Sequence, residues 1–352
     1  MIKVIAVNNA EIYAFVTKFM KIIIPMAGMG KRMRPHTLTI PKPLIPVAGK
    51  PIVQWLAEDI TQACDEDVEE IAFVTGRFGE ETEKKLISIA KSMGAKGTIY
   101  YQDEALGTAH AVLCAANSLR GRVVVAFADT LFKTSIVMDS DEDSVIWVKR
   151  VVDPQAFGVV KLDGSGYVSE FIEKPKEFVS DLAIIGIYYF RDGDRLKKEL
   201  QFLIDNNIKG NNEFQLTDAL ENMKKKGIKF GVAKVEEWLD CGNKNATVYT
   251  NQRMLEIKKN ELGMPPSVIK ENSKIIQPCS IGHDVRLVNS TIGPHVSIGP
   301  GTIIENSTIA DSIIQSHTIV KNSKISNSMI GNHVLYTGTS DDLSIGDYNH
   351  IA

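Results

Sequence analysis

From Met20 to about residue 260 the chain alternates short β-rich apolar runs with stretches whose apolar residues recur near helical spacing. Ile22–Ile24, Glu70–Val74, Gly97–Tyr101, Val123–Ala128 and Ser144–Val148 read as strands; Val53–Cys64, Glu80–Ser92 and Thr108–Ser118 read as helices. This alternation predicts βαβ units, and so an α/β domain whose mostly parallel sheet carries helices on both faces. Asn243 is placed to cap a last helix through Ala246–Leu262, and Gly263-Met264-Pro265-Pro266 ends it, because proline lacks the donor and clashes with the preceding turn. Residues 20–262 are therefore expected to form the first domain. A second methionine, Met20, abuts the first strand, so residues 1–19 are expected to be an amino-terminal extension that the sheet does not need.

After Pro266 the spacing changes. Ile269, Ile275, Ile281 and Leu287 step by six, as do Ile292 and Ile298, then Ile313, Ile319 and Ile325. Ile-Gly pairs recur at 281–282, 292–293, 298–299, 330–331 and 345–346 among Asn, Ser and Thr. Neither an amphipathic helix nor a hairpin produces a six-residue step. A hexapeptide-repeat β-helix does, with one aliphatic residue turned inward per short strand. The step slips to five at Ile298–Ile303 and Ile325–Ile330, which predicts irregular corners. Residues 263–352 are thus expected to form a small solenoid of four or five coils, at roughly 18 residues per three-sided coil.

Composition narrows the function. Over 352 residues, 40 basic and 43 acidic residues leave a net charge of −3, which argues against a nucleic-acid or anionic-membrane coat. No apolar run approaches the ~20 residues of a membrane span. Four scattered cysteines without a Cys-x-x-Cys pair suit a reducing cytoplasm and indicate neither a zinc site nor a disulfide framework.

The stretch Ala27-Gly28-Met29-Gly30-Lys31-Arg32-Met33-Arg34-Pro35, continuing to Pro41-Lys42-Pro43-Leu44, directly follows the first strand. Glycines there let backbone N–H groups approach phosphate oxygens, a following helix start would add its dipole, and Arg32 and Lys42 supply fixed positive charge. The Gly-Lys-Ser/Thr of a P-loop is absent, which excludes an ordinary ATPase. The combination resembles the signature of the sugar-1-phosphate nucleotidylyltransferases, in the branch of thymidylyl- and uridylyltransferases that carry a solenoid tail. Ala27 departs from the glycine usual in that family, a change the uridylyltransferase branch tolerates.

The resemblance covers roughly residues 20–260 and implies a Rossmann-like nucleotidyltransferase domain followed by a left-handed β-helix. It assigns nucleotide binding to Ala27, Gly28, Gly30, Gln102, Gly107 and Thr108, with the Gln102 amide reading the imide edge of a pyrimidine. Asp129, at the end of the run Val123–Ala128, and Asp240, in Trp238-Leu239-Asp240-Cys241-Gly242, are implied to hold Mg²⁺. Gly158, Glu173 and Lys174 are implied to receive the sugar phosphate, and Asn212-Glu213 and Thr217-Asp218 fit a segment near the sugar. Arg32, Lys42 and Lys174 would be the catalytic cations. The expected reaction is Mg²⁺-dependent transfer of a nucleotidyl group from UTP or dTTP to a sugar 1-phosphate, with glucose 1-phosphate leading, in a cytoplasmic homo-oligomer. Two other readings stay open: a bifunctional enzyme that also acetylates an amino-sugar phosphate, and a catalytically silent regulatory subunit. The tail has few basic residues for coenzyme A, so an assembly or regulatory role is expected of it. His283, His295, His317, His333 and His350 are read as solvated corner residues rather than as a general base.

Overall fold

The computed structural model describes residues 19–64, 66–135, 137 and 141–351; nearly all of the expected amino-terminal extension lies outside the described residues. In chain order the first part runs β1 (Phe19–Pro25), β2 (Pro46–Val47), β3 (Lys50–Pro51), α1 (Ile52–Cys64), β4 (Asp67–Thr75), α2 (Glu80–Ser92), β5 (Lys96–Tyr101) and α3 (Thr108–Cys114). There follow β6 (Arg122–Ala126), β7 (Thr130–Lys133), β8 (Ser144–Arg150), β9 (Val159–Leu162), β10 (Val168–Ile172), β11 (Leu182–Phe190), α4 (Gly193–Asp205), α5 (Leu216–Lys225), β12 (Phe230–Lys234), β13 (Glu237–Asp240) and α6 (Lys244–Ile257).

These elements and the solenoid fold into two compact units that are not consecutive in sequence. Among the described residues, one unit takes 19–28, 56–128 and 132–238, and the other takes 29–55, 129–131 and 239–351. The first is built on a sheet ordered β10-β9-β11-β6-β1-β4-β5, with β8 also paired to β11 and β12 to β8. β6, β1, β4 and β5 are parallel, as their βα connections require. β11 then runs antiparallel to β6, β8 and β9, so the far side of the sheet is mixed. Ile22, Ile23 and Ile24 are all fully buried, the continuous apolar run of a strand covered on both faces.

In the second unit Asn243 caps α6, its side chain accepting from the Ala246 N–H at 3.0 Å. The helix stops at Ile257, short of the expected Leu262. Beyond it the chain winds into a solenoid of stacked parallel strands. Successive coils are 15 to 17 residues apart, shorter than a strict three-hexapeptide turn, because corners are trimmed as the five-residue slips foretold. Inward rungs are Leu287, Ile304, Val320 and Tyr336 on one face, Ile292, Ile309 and Ile325 on a second, and Ile281, Ile298, Ile314, Ile330 and Ile345 on the third. Three residues of the six-step pattern, Ile269, Ile313 and Ile319, depart from it. Ile269 is 53% exposed on the first coil, and Ile319 is half-buried because Val320 takes the inward place. Ile313 and Met329 are fully buried outside this core, on the third face, against which α6 packs.

The corners explain the polar composition. Asn272, Asn289, Asn306 and Asn322 all have φ between +43° and +49°, a left-handed conformation that asparagine tolerates. Their side-chain amides join in a ladder with spacings of 2.9, 3.2 and 3.1 Å. His317, His333 and Tyr348 occupy equivalent left-handed corners and stack ring on ring at 5.1 and 5.0 Å.

Candidate functional site

The sequence-assigned residues divide between the two units. In the first, β5 delivers Gln102, whose N–H donates to the Thr75 carbonyl at 3.0 Å. Its side-chain Nε2 lies 3.3 Å from both the Gly107 carbonyl and His110 Nδ1, so the amide is held in one orientation. Gly107 opens α3 at φ 115°, ψ 177°, a conformation essentially reserved for glycine. A Cβ there would lie 2.5 and 2.7 Å from the Phe214 carbonyl oxygen and nitrogen. The closeness comes from a backbone clasp: Phe214 N–H donates to Leu106 O, and Ala109 N–H to Phe214 O, both at 2.9 Å. The Thr108 hydroxyl, read as a nucleotide ligand, accepts from the Leu216 N–H at 2.9 Å and so ties α3 to the start of α5.

The other end of that junction carries the sugar candidates. Thr217 donates its hydroxyl to Glu173 Oε2 at 3.2 Å, and a Cβ on Gly158 would approach the same oxygen to 3.0 Å. Lys174 is a non-glycine residue at φ +42°, with its N–H on the Phe157 carbonyl at 3.2 Å and a largely exposed ammonium 3.8 Å from Glu173 Oε1. The segment 214–217 therefore touches both the Gln102–Thr108 set and the Gly158–Lys174 set. Phe214 was not singled out from the sequence, because it acts through its backbone and leaves no side-chain signal.

Ala27 and Gly28 are the last residues before the chain leaves the first unit, and no atom lies within 4 Å of the place a Cβ on Gly28 would occupy. The second unit begins with the rest of the signature. Gly30 has φ +56°, and a Cβ would meet Thr37 at 3.0 Å and Lys42 at 3.2 Å. The expected helix start proves to be a single 3-10 turn, Lys31–Met33, ended by Arg34 in extended conformation. A turn so short has few aligned peptide dipoles, so it offers little of the anion-stabilising contribution expected of a helix start.

Those cations face the two aspartates. Lys42, only 12% exposed, places Nζ 3.0 Å from Asp129 Oδ2. Asp129 and Asp240 are brought together by a backbone hydrogen bond from Cys241 N–H to Asp129 O at 3.3 Å. A Cβ on Gly242 would lie 2.8 and 3.0 Å from the Asp240 carboxylate oxygens and 3.3 Å from an Arg32 guanidinium nitrogen. Glycine thus keeps open a cradle between Arg32 and Asp240. Thr250, nearly two turns along α6, fixes the carbonyl of Asp240 at 2.7 Å, a support that a helix-interior threonine did not announce. Among the described residues no three His, Cys, Asp or Glu side chains form a self-sufficient metal cluster. Two carboxylates beside a glycine loop with two cations fit the manner in which Mg²⁺ is usually held, by one or two acids plus substrate phosphates and water.

His36, in the same loop, is 1% exposed. Burial pushes its imidazole down from the ordinary 6.5 to about 4, with Lys244 adding to the effect and Asp347 opposing it. The folded chain then binds fewer protons than the unfolded one between those values, so stability falls as pH drops from 6.5 toward 4. The loss amounts to roughly 3 kcal/mol by pH 4. Relative to His36→Gln, which cannot charge, wild-type protein should lose more melting temperature across this window; parallel curves would refute the assignment.

Residues 21–257 match the family described as Nucleotidyl transferase. A bifunctional protein GlmU from Methanococcus maripaludis is 32% identical over 74% of this chain, which spans 62% of that longer protein. A glucose-1-phosphate thymidylyltransferase from Streptomyces griseus is 28% identical, covering 84% of this chain and 87% of that one. Among solved structures, a UDP-glucose pyrophosphorylase complexed with UDP-glucose is similar with a TM-score of 0.56 at 25% identity, over 68% of this chain and 99% of that one.

Proposed function

The chain belongs to the nucleotidyl transferase family, and from that premise we propose that it joins a pyrimidine nucleoside triphosphate, UTP or dTTP, to a sugar 1-phosphate, with glucose 1-phosphate first among the sugars. The observation that carries this reading is the group Arg32, Lys42, Asp129 and Asp240, two cations and two carboxylates gathered around a glycine loop in one compact unit. The substrate classes are those in the names of the relatives. A sugar-phosphate oxygen attacks the α-phosphorus in line and pyrophosphate leaves, a reaction in which positioning and charge neutralisation do most of the catalysis.

In this reading Gly28 and Gly30 admit the triphosphate close to the backbone, and Arg32 and Lys42 neutralise charge on the pyrophosphate side. Lys174 orients the incoming phosphate, and Glu173, held by Thr217, accepts from sugar hydroxyls. Asp129 and Asp240 would hold Mg²⁺, which when bound polarises the phosphate oxygens it touches. Lys42 partners Asp129 at 3.0 Å and is, with Arg32, a cation of this chain available to neutralise the phosphates. All four cysteines are free, which suits a cytoplasmic location. No described helix is long and apolar enough to cross a membrane. The proposal includes a homo-oligomer.

Pyrophosphate release measured for each common nucleotide against glucose, N-acetylglucosamine, mannose and galactose 1-phosphates tests the reading; no release from any pair would sink it. The base reader has its own test. With Nε2 held by Gly107, the Gln102 carbonyl is left to accept from the N3–H of uracil or thymine. Gln102→Ala should narrow the kcat/KM advantage of UTP or dTTP over ATP by about tenfold, in line with one lost hydrogen bond in a site built for it. An unchanged ratio removes Gln102 from the base site.

The GlmU relative keeps the acetyltransferase alternative on the table. Acetyl-CoA-dependent acetylation of glucosamine 1-phosphate, abolished by substitution of a solenoid histidine, would establish it.

A further inference from the structure

The loop that bears Arg32 and Lys42 is grouped with the solenoid, not with the α/β sheet. Besides a contact of Thr247 with Met33 Sδ at 3.4 Å, two places hold it there. The first lies between the two cations. Thr39 Oγ1 donates to Asp347 Oδ2 at 2.6 Å, and His36 Nε2 lies 3.1 Å from Ser344 Oγ. Gly346 is packed so tightly beneath Pro35 that an added Cβ would come within 2.9 Å of the proline ring. The other oxygen of Asp347 accepts from Asn332, from its N–H at 2.6 Å and its side-chain amide at 3.2 Å. That carboxylate therefore bridges a solenoid coil to the loop.

The second place follows Lys42. Asn251 of α6, fully buried, accepts through Oδ1 from the Ala48 N–H at 2.9 Å and from Ser297 Oγ at 2.6 Å. Its amide nitrogen donates to the His295 carbonyl at 3.3 Å. Gly49, at φ +84°, leaves no room for a side chain beside Ser280. From Lys31 to Leu44 the loop contains only two 3-10 turns, Lys31–Met33 and Lys42–Leu44, which cannot hold their own geometry. Thr37 adds only a local tie, donating to Gly30 O at 2.9 Å.

We propose that the β-helix is the scaffold that sets the phosphate-side cations, with Asp347 and Ser344 as positioning residues that act on Arg32 and Lys42 through Thr39 and His36. The proposal rests on the nucleotidyl-transfer reading for its kinetic consequence, and on the loop contacts alone for its structural one. It gives the tail a part in the reaction, beyond the assembly or regulatory role that the sequence suggests.

The test uses the full chain and substitutions confined to the solenoid, Ser344→Ala with Asp347→Ala. Amide exchange of residues 31–44 should accelerate at least tenfold, while that of the inner strands, such as Val320–Lys321, stays within twofold. At saturating substrates and Mg²⁺, kcat should fall about tenfold, which corresponds to ~1.4 kcal/mol. KM for the sugar 1-phosphate should be unchanged, because its assigned residues lie in the other unit. Asp347→Asn, which keeps a hydrogen-bonding group on both sides, should restore most of kcat. Unchanged exchange at 31–44 overturns the scaffold. So does faster exchange there with kcat intact, or a loss of kcat that Asp347→Asn fails to recover. Exchange that accelerates throughout the solenoid would show general destabilisation and also overturn it. If the wild-type protein has no transferase activity at all, the functional reading fails, and the exchange result still decides the structural one.

Discussion

Replacing Asp129 or Asp240 with asparagine should lower turnover by about 10²–10³ while leaving the fold intact, by analogy with removal of one preorganised charge from a reacting centre, which costs a few kcal/mol. The two aspartates sit on adjoining backbone, joined by Cys241 N–H to Asp129 O, so each contributes to one charge group. Asparagine keeps the shape and one acceptor oxygen but not the charge. The Asp129→Asn change also leaves Lys42, nearly buried, without its counter-ion at 3.0 Å. Turnover should therefore fall at every Mg²⁺ concentration, with a higher Mg²⁺ requirement in both variants. Near-normal turnover at limiting Mg²⁺ in both would remove the pair from the site.

Gly107→Ala should cost roughly 3–5 kcal/mol, from a glycine-only backbone conformation together with overlap onto Phe214 backbone atoms that have no flexible end to move. A shift of melting temperature on the order of −10 °C follows for a domain of this size. Activity should fall as well, because the clasp at Phe214 fixes both the Gln102 loop and, through Thr217, Glu173. Gly28→Ala is the contrast. Its Cβ would meet nothing within 4 Å, so the melting temperature should hold while affinity for the nucleoside triphosphate drops. A stable, fully active Gly107→Ala protein would show that the clasp is dispensable, and an unstable Gly28→Ala protein would contradict the open geometry at that position.

Much of the molecule was legible in the amino-acid text. The apolar runs Ile22–Ile24 and Glu70–Val74 lie inside β1 and β4, since a strand covered on both faces leaves an unbroken hydrophobic stretch. The six-residue step marked the solenoid because each coil repeats one inward aliphatic residue. Asn243 announced its helix through a local side-chain cap. The motifs marked which residues deserved attention in the site. These are local or periodic properties, written within a few residues of one another.

What the text did not carry depends on residues distant in sequence. The spacing rule could not say that Val320 rather than Ile319 turns inward, because a one-residue slip at a corner changes the face and the corner is set by the coil below. It promised a helix after the glycine loop, where Thr37 and Lys42 crowd Gly30 and a single 3-10 turn fits. It gave no sign that the Thr108 hydroxyl accepts from the Leu216 N–H, 108 residues away. It drew a domain boundary near residue 262, yet the loop 29–55 packs with the solenoid through Thr39–Asp347 and Ala48–Asn251. The chain's own periodicity thus determined the elements, and the resemblance carried by its motifs implied the kind of chemistry. Tertiary structure alone decided which neighbours hold the cations, because hydrogen bonds between residues 200 to 300 positions apart leave no trace in the local pattern.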